Sequence, residues 1–129
     1  MISLDDKLNF ILHKSLKMEL APGLDHSEFK CQCNSTTCHI TLMSPRLKDA
    51  WTVVRLAFGK KLTINSGFRC QQHNKDVGGI ANSRHTMGQA IDISTKNLEP
   101  LEVAYLKELL ERNFDKVLEY PTFYHAHVE

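Results

Sequence analysis

Three histidines and one aspartate in the second half of the chain are of the residue types that bind a catalytic metal. His85 and Asp92 are seven residues apart, and His125 and His127 are separated by one residue. Imidazole nitrogens and carboxylate oxygens are common ligands of zinc. An isolated histidine is more often a surface or core residue, so the combination of the four residues, and not any one of them, indicates a site.

His125 and His127 fall in a predicted strand, residues 123–129. Side chains two positions apart in a strand share one face and lie about 7 Å from each other. We therefore expect both histidines on one surface. This separation suits one metal ligand and a neighbouring proton carrier better than two ligands of the same ion.

Asp92 lies in a second predicted strand, Ala90-Ile91-Asp92-Ile93. The isoleucines mark the buried side, so the alternation of the strand points the carboxylate the other way. A loop of glycine and small polar residues, 78–83, comes shortly before His85. Such a loop favours a tight or mobile turn beside the candidate ligands.

A longer set of motifs between residues 66 and 93 resembles a known family. The sequence is similar to the D-Ala-D-Ala carboxypeptidase family of zinc peptidases, within the wider group that also holds lysostaphin and Sonic hedgehog. The resemblance extends over residues 28–129. The residues that carry it are Ser66-Gly67-Phe68-Arg69, His73-Asn74, Val77-Gly78-Gly79, Ser83-Arg84-His85, Gly88, Ala90 and Asp92-Ile93, followed by His125-Ala126-His127.

The resemblance implies that His85, Asp92 and His127 hold one zinc ion and that His125 is the general base or orients the attacking water. Three protein ligands leave the fourth zinc position to water or substrate. The metal can then lower the pKa of that water and polarise the scissile carbonyl. Some relatives have a carboxylate three residues before the last ligand, where this chain has Tyr124.

Arg69 and Ser83 receive roles from the resemblance, and Glu119 has two alternative roles. Arg69 resembles the arginine that faces the substrate carbonyl and stabilises the developing oxyanion, for which a guanidinium is suited. Ser83 resembles a residue that binds the terminal carboxylate of the substrate, and the alternative is a loop or capping serine. Glu119 is either a residue that orients a zinc ligand or a solvated strand residue.

Three of the remaining motif positions have more modest expected roles. Arg84 stands where many relatives have glutamine, a change that bears on substrate preference. We expect His73 and Asn74 to hold their loop rather than bind metal.

The secondary structure predicted from the sequence is α+β, a small antiparallel sheet with flanking helices. Apolar spacing predicts helices at 4–17, from Pro45 after a capping Ser44, at 71–77, and from Pro100. In the last of these helices, Leu101, Tyr105, Leu109 and Leu110 mark the expected apolar side. Strands are predicted at 62–65, 90–93, 116–119 and 123–129.

Length and charge restrict the possible partners. A chain of 129 residues with 42% hydrophobic residues suits one domain, 1–129, with a helix and cysteine segment at about 1–45 and a catalytic core at about 46–129. A net charge of +1 disfavours nucleic-acid binding. We expect a monomer without a membrane-spanning helix or signal peptide.

Four cysteines, Cys31, Cys33, Cys38 and Cys70, leave several alternatives open. They could form disulfides, remain thiols or bind a structural zinc. The C-x2-C pairs usual in structural zinc sites are missing from the sequence. Disulfides or thiols are therefore favoured here, and we expect one catalytic zinc ion and no second zinc.

The resemblance implies a zinc peptidase that hydrolyses peptidoglycan stem or cross-link peptides, as a carboxypeptidase or an endopeptidase. The short chain resembles phage endolysins, which are made in the cytoplasm and reach the bacterial cell wall at lysis. Two alternatives remain: a noncatalytic metal-binding module with the same fold, and an interaction protein stabilised by metal at the cysteines.

Overall fold

A computed structural model of the chain describes residues 18–35, 38 and 40–129. The helix predicted at 4–17 lies outside the described residues. In chain order the elements are β1 (Glu19–Ala21), β2 (Leu24–Asp25), α1 (His26–Phe29), α2 (Pro45–Phe58), β3 (Ile64–Ser66), α3 (Gln71–Asp76), a 3₁₀ turn (Arg84–Met87), β4 (Ala90–Ser94), α4 (Pro100–Asn113), β5 (Lys116–Tyr120) and β6 (Phe123–His127).

The strands form two antiparallel sheets, and the larger one carries the candidate ligands. β1 pairs with β2, and the four other strands follow the order β3-β4-β6-β5. In this larger sheet Asp92 lies opposite His125, and Ala90 lies opposite His127. The predicted α+β fold with a small antiparallel sheet is confirmed, and the sheet brings the aspartate and the histidine pair onto neighbouring strands.

Strand β4 is buried along its whole length, and all five of its residues are covered. Ile91 and Ile93 face the hydrophobic core, as expected. Asp92 faces the other way, but that side is covered too, and only 6% of the residue is exposed. A charged group in such a place needs partners, because burying an unpaired charge costs several kcal/mol.

Helix α2 follows the sequence prediction closely. Pro45 occupies its first turn, Gly59 ends it in the left-handed conformation, and the predicted apolar stripe of Leu47, Trp51, Val54 and Phe58 is buried. Ser44 does hold the N-cap position, but its side chain makes no capping hydrogen bond.

Helix α4 corrects part of the predicted apolar side. Leu106 and Leu110 are its fully buried residues, whereas Leu101 is 85% and Tyr105 46% exposed. The ring of Tyr105 stacks against the ring of Phe58 in α2, at the edge of the contact between the two helices.

Among the described residues, no helix has the length and apolar character needed to cross a membrane.

Gly88 ends the 3₁₀ turn that carries His85 and packs against the segment before α2. Its φ is 68°, and a Cβ at this position would lie 2.2 Å from the carbonyl oxygen of Leu42. The Gly88 carbonyl also accepts a hydrogen bond of 2.9 Å from the backbone N–H of Ser44. Both the left-handed backbone and the close approach require glycine here.

We predict that Gly88→Ala lowers the free energy of unfolding by roughly 2–5 kcal/mol, because a left-handed alanine costs about 1–2 kcal/mol and forced overlap in a packed site about 1–3. Gly59→Ala is the matched control, since Gly59 has φ 79° but open space around its Cβ position. It should lose only about 1–2 kcal/mol. Urea unfolding at one zinc concentration measures both, and equal losses would show that the contact with Leu42 is unimportant.

Candidate active site and metal centre

Side chains from three parts of the fold converge beside strand β4. Ligand atoms of His85, Asp92 and His125 all lie within 4.8 Å of one another. Asp92 Oδ1 is 3.2 Å from His85 Nε2 and 3.0 Å from His125 Nδ1. One carboxylate oxygen is therefore shared between two imidazoles.

The 3₁₀ turn and its cap set the position of His85. The Ser83 side chain accepts a hydrogen bond of 3.2 Å from the backbone N–H of His85. The other ring nitrogen, Nδ1, lies 2.7 Å from the carbonyl oxygen of Gly67. Because a carbonyl only accepts hydrogen bonds, Nδ1 carries a hydrogen, and a neutral ring would therefore have its lone pair at Nε2.

Asp92 is ionised throughout the physiological pH range. Burial by itself would raise the pKa of its carboxyl group, but hydrogen bonds from His125 and His85 and the charge of these rings outweigh burial and lower the pKa to about 2. The second oxygen, Oδ2, lies 3.4 Å from a guanidinium nitrogen of Arg69. The carboxylate is thus held from both sides.

The donor set fits a divalent cation such as zinc. With Nδ1 bonded to the Gly67 carbonyl, Nε2 of His85 faces the ionised Asp92, either through the N–H of a protonated ring or through the lone pair of a neutral one. A bound cation can take the place of that proton between the two atoms. Ligand atoms of one tetrahedral zinc ion lie about 3.3 Å apart, given bonds of about 2.0–2.1 Å. The 3.2 Å and 3.0 Å separations are close to that value. The hydrogen bond from His85 to a backbone carbonyl is also the usual support of a metal-bound imidazole.

His125 and His127 are closer than strand spacing alone suggests. Nε2 of His125 lies 2.9 Å from Nδ1 of His127, and the two rings stand at 75°. The expected 7 Å applies where side chains stand upright on the sheet, but these two rings lean together. His125 belongs to the group of converging ligand atoms, and His127 lies one hydrogen bond beyond it.

Arg69 contacts three side chains at the edge of the cluster. Its nitrogens lie 3.0 Å from Ser66 Oγ, 3.3 Å from Asn74 Oδ1 and 3.4 Å from Asp92 Oδ2. Asn74, in turn, is buried and donates to the carbonyl of Ile80 at 2.9 Å. Asn74 therefore holds its loop, as predicted, and also helps to fix Arg69 against Asp92.

Two other predicted residues have clear structural partners. Ser83 is buried and caps the turn through the His85 N–H, which is the alternative role considered for it. Arg84 donates to the Gln89 side chain at 3.0 Å. Both residues also line the cleft over the candidate ligands.

Glu119 lies on the opposite face of the sheet from the histidines. It pairs with buried Tyr124 across the sheet and forms an exposed ion pair of 3.3 Å with Lys107 of α4. A role in orienting a metal ligand is therefore wrong for Glu119, and the solvated alternative is correct. Strand alternation accounts for this, because Leu118 and not Glu119 pairs with His125.

The cleft over the ligands also contains residues that the sequence reasoning missed. It has a volume of about 550 Å³, and one wall is formed by Lys116, Leu118 and Tyr120 of β5. These residues alternate along β5 and pair with His127, His125 and Phe123 of β6. The same two-residue period that grouped the histidines could have found them.

The surroundings of His127 favour the neutral form of its imidazole by lowering its pKa. Burial lowers the pKa of its imidazole, and the nearby positive charge of His125 and Arg84 acts in the same direction. Glu129, whose carboxylate lies 4.0 Å from His127 Nε2, opposes this effect. A neutral imidazole can donate one hydrogen bond and accept another.

Comparison with known proteins agrees with this geometry. Residues 22–129 match the family described as Peptidase M15. A stretch of 41 residues is 49% identical to the zinc D-Ala-D-Ala carboxypeptidase of Streptomyces albus G. That stretch is 31% of this chain and only 16% of that enzyme. The family resemblance predicted from the motifs is confirmed, and because the match spans most of the sequence, the chain belongs to the peptidase M15 family.

Proposed function

We propose that this protein is a zinc-dependent peptidase whose metal is held by His85, Asp92 and one histidine of strand β6. The observation that carries the proposal is the convergence of two imidazoles and an ionised carboxylate in a buried corner that opens to a cleft. Membership of the peptidase M15 family supports it, as does the similarity to a zinc carboxypeptidase.

His125 is the histidine that we assign as the third ligand. Its Nδ1 lies 3.0 Å from Asp92 Oδ1, within the group of converging ligand atoms. The assignment from family resemblance instead has His127 as the ligand and His125 as the proton carrier, and it stays a prediction. The zinc peptidase proposal holds with either histidine.

The two assignments differ in where the hydrogens lie along the histidine pair. If His125 binds through Nδ1, its Nε2 carries a hydrogen and donates to Nδ1 of His127. His127 then keeps an N–H at Nε2, which can donate to the substrate carbonyl oxygen as negative charge develops there. If His127 is the ligand, His125 bridges Asp92 and His127 and is the group that can move a proton.

The other residues of the site position these groups. A zinc ion held here would act as a Lewis acid on the peptide carbonyl and lower the pKa of a water molecule. Arg69 holds Oδ2 of Asp92, which keeps Oδ1 turned toward the histidines. Its side chain remains 17% exposed in the cleft, so we also retain its predicted contact with the substrate carbonyl. Ser83 lines the same cleft, and we keep its proposed contact with the substrate carboxylate.

We propose that the substrate is a peptidoglycan stem or cross-link peptide. In the cleft lining, Arg69 and Asp92 pair with each other, which leaves the positive charges of Arg84 and Lys116 against Glu129. The remaining charge favours a substrate that carries carboxylates. Stem peptides have this character, and the similar enzyme is named for D-Ala-D-Ala. Action on the bacterial cell wall, including release at phage lysis, belongs to the same proposal and rests on the family resemblance.

We predict that His85→Ala, Asp92→Asn and His125→Ala each lose one equivalent of zinc relative to the wild type, whereas His127→Ala retains it. The reason is that each of the first three variants removes one of the converging ligand atoms, whereas His127→Ala removes only a residue next to that group. Elemental analysis of dialysed protein measures this. Loss of zinc in His127→Ala with retention in His125→Ala would restore the assignment made from family resemblance.

We predict that Arg69→Lys weakens zinc binding about 10- to 100-fold, the usual cost of losing a residue that supports a metal ligand. A lysine cannot contact Ser66, Asn74 and Asp92 together as the guanidinium does. Arg84→Lys is the control, because Arg84 lines the cleft and its side chain donates to Gln89 rather than to a ligand. Competition with a chelator of known affinity gives both constants, and equal affinities in the two variants would remove Arg69 from the support of Asp92.

We predict that the zinc-loaded wild type releases new amino and carboxyl ends from purified peptidoglycan and that Asp92→Asn does not. Mass spectrometry of the products identifies the bond, because released D-Ala indicates a carboxypeptidase and separated cross-links indicate an endopeptidase. A zinc-loaded protein that leaves wall material and stem peptides intact would favour the noncatalytic module.

A further inference from the structure

A second group of metal-binding side chains lies outside the cleft with the histidines. The Sγ atoms of Cys31, Cys33, Cys38 and Cys70 all lie within 4.8 Å of one another. Cys31 is buried and the three others are partly buried. Three of them come from one segment, and Cys70 comes from the start of helix α3, so folding itself brings the fourth thiol to the other three.

The spacing of the sulfur atoms fits one tetrahedral ion. With zinc–sulfur bonds of about 2.3 Å, the four sulfurs around a single zinc lie about 3.8 Å apart. A contraction of at most about 1 Å from the observed limit of 4.8 Å reaches that value. All four cysteines are free thiols in the structure. Two disulfides would need only pairs of sulfurs to meet, whereas here every sulfur is close to every other.

Backbone groups already face the sulfur atoms as they would face thiolates. The N–H of Cys70 donates to Cys31 Sγ at 3.3 Å, and the N–H of His73 donates to Cys70 Sγ at 3.4 Å. Such hydrogen bonds support metal-bound ligands.

We propose that Cys31, Cys33, Cys38 and Cys70 hold a structural zinc ion, separate from the metal bound by the histidines. The expectation from the sequence was the opposite, because the C-x-C-x4-C spacing lacks the usual C-x2-C pairs. The fold instead brings the segment with the three other cysteines into contact with the start of α3, where Cys70 supplies the fourth thiol. Four thiolates in tetrahedral reach select zinc or iron, and zinc is the ion that serves a purely structural role without redox chemistry.

The ion would cross-link two segments behind the active site. Cys70 follows Arg69, which contacts Asp92, and it also caps helix α3. In the second segment, Cys31 closely follows Phe29, whose carbonyl accepts a hydrogen bond of 2.7 Å from the backbone N–H of Phe68. A four-thiolate zinc at this corner therefore fixes the backbone that carries Arg69.

The first test separates the two metal sites by elemental analysis of protein purified under reducing conditions. We expect two equivalents of zinc in the wild type, one in His85→Ala/Asp92→Ala, and one in Cys33→Ser/Cys38→Ser. His73→Ala is the control, since this histidine lies beside the cysteines but outside the group of converging sulfurs, and it should keep both ions. One equivalent in the wild type that disappears in His85→Ala/Asp92→Ala would overturn the proposal.

The second test identifies the ligands even if the cysteine variant does not fold. X-ray absorption at the zinc edge of His85→Ala/Asp92→Ala should show only sulfur neighbours, at about 2.3 Å. Nitrogen or oxygen neighbours, iron in place of zinc, or an intact mass lowered by two hydrogens for each disulfide would contradict the proposal. If the histidine site instead bound no metal, the wild type would contain one zinc with sulfur neighbours alone, so the two proposals fail in different ways.

Discussion

The buried carboxylate of Asp92 is the interaction on which the rest of the site depends. An ionised group that is 6% exposed is tolerated only when opposite charge and hydrogen bonds surround it. Here His85 comes from the 3₁₀ turn, His125 from the neighbouring strand, and Arg69 from the segment after β3. The turn, the sheet register and that segment must all be in place before the charge is compensated, so the fold and this cluster of side chains are mutually dependent.

Several motif residues do no chemistry themselves but permit this arrangement. A Cβ on Gly67 would lie 2.4 Å from the Phe29 ring, and the Gly67 carbonyl fixes the His85 tautomer. A Cβ on Gly79 would lie 2.1 Å from the Asn74 side chain that contacts Arg69. Glycine at these two positions lets backbone pass where any side chain would displace the residues that support the ligands.

Two chemically different groups of potential metal ligands are connected through one short backbone segment. The histidines and Asp92 line an open cleft, as the proposed catalytic ion would require, whereas the four cysteines supply four sulfurs close to one another, as the proposed structural ion would require. Arg69 and Cys70 are adjacent in the chain and connect the two groups. A small protein with a modest core would gain rigidity from such a cross-link. A fixed Arg69 would in turn hold Asp92 in place through their ion pair.

The sequence by itself determined the α+β class, helix α2 from Pro45 to its glycine end, the family resemblance, and His85 and Asp92 as neighbours of a histidine pair. These features depend on local spacing and backbone preference, which neighbouring residues in the sequence determine. Only the tertiary structure decided that His125 is nearest to Asp92, that Glu119 faces away, and that four cysteines with unusual spacing converge. Those outcomes depend on ring orientation, strand register and contacts between distant segments, and local periodicity carries no information about the distances between such groups.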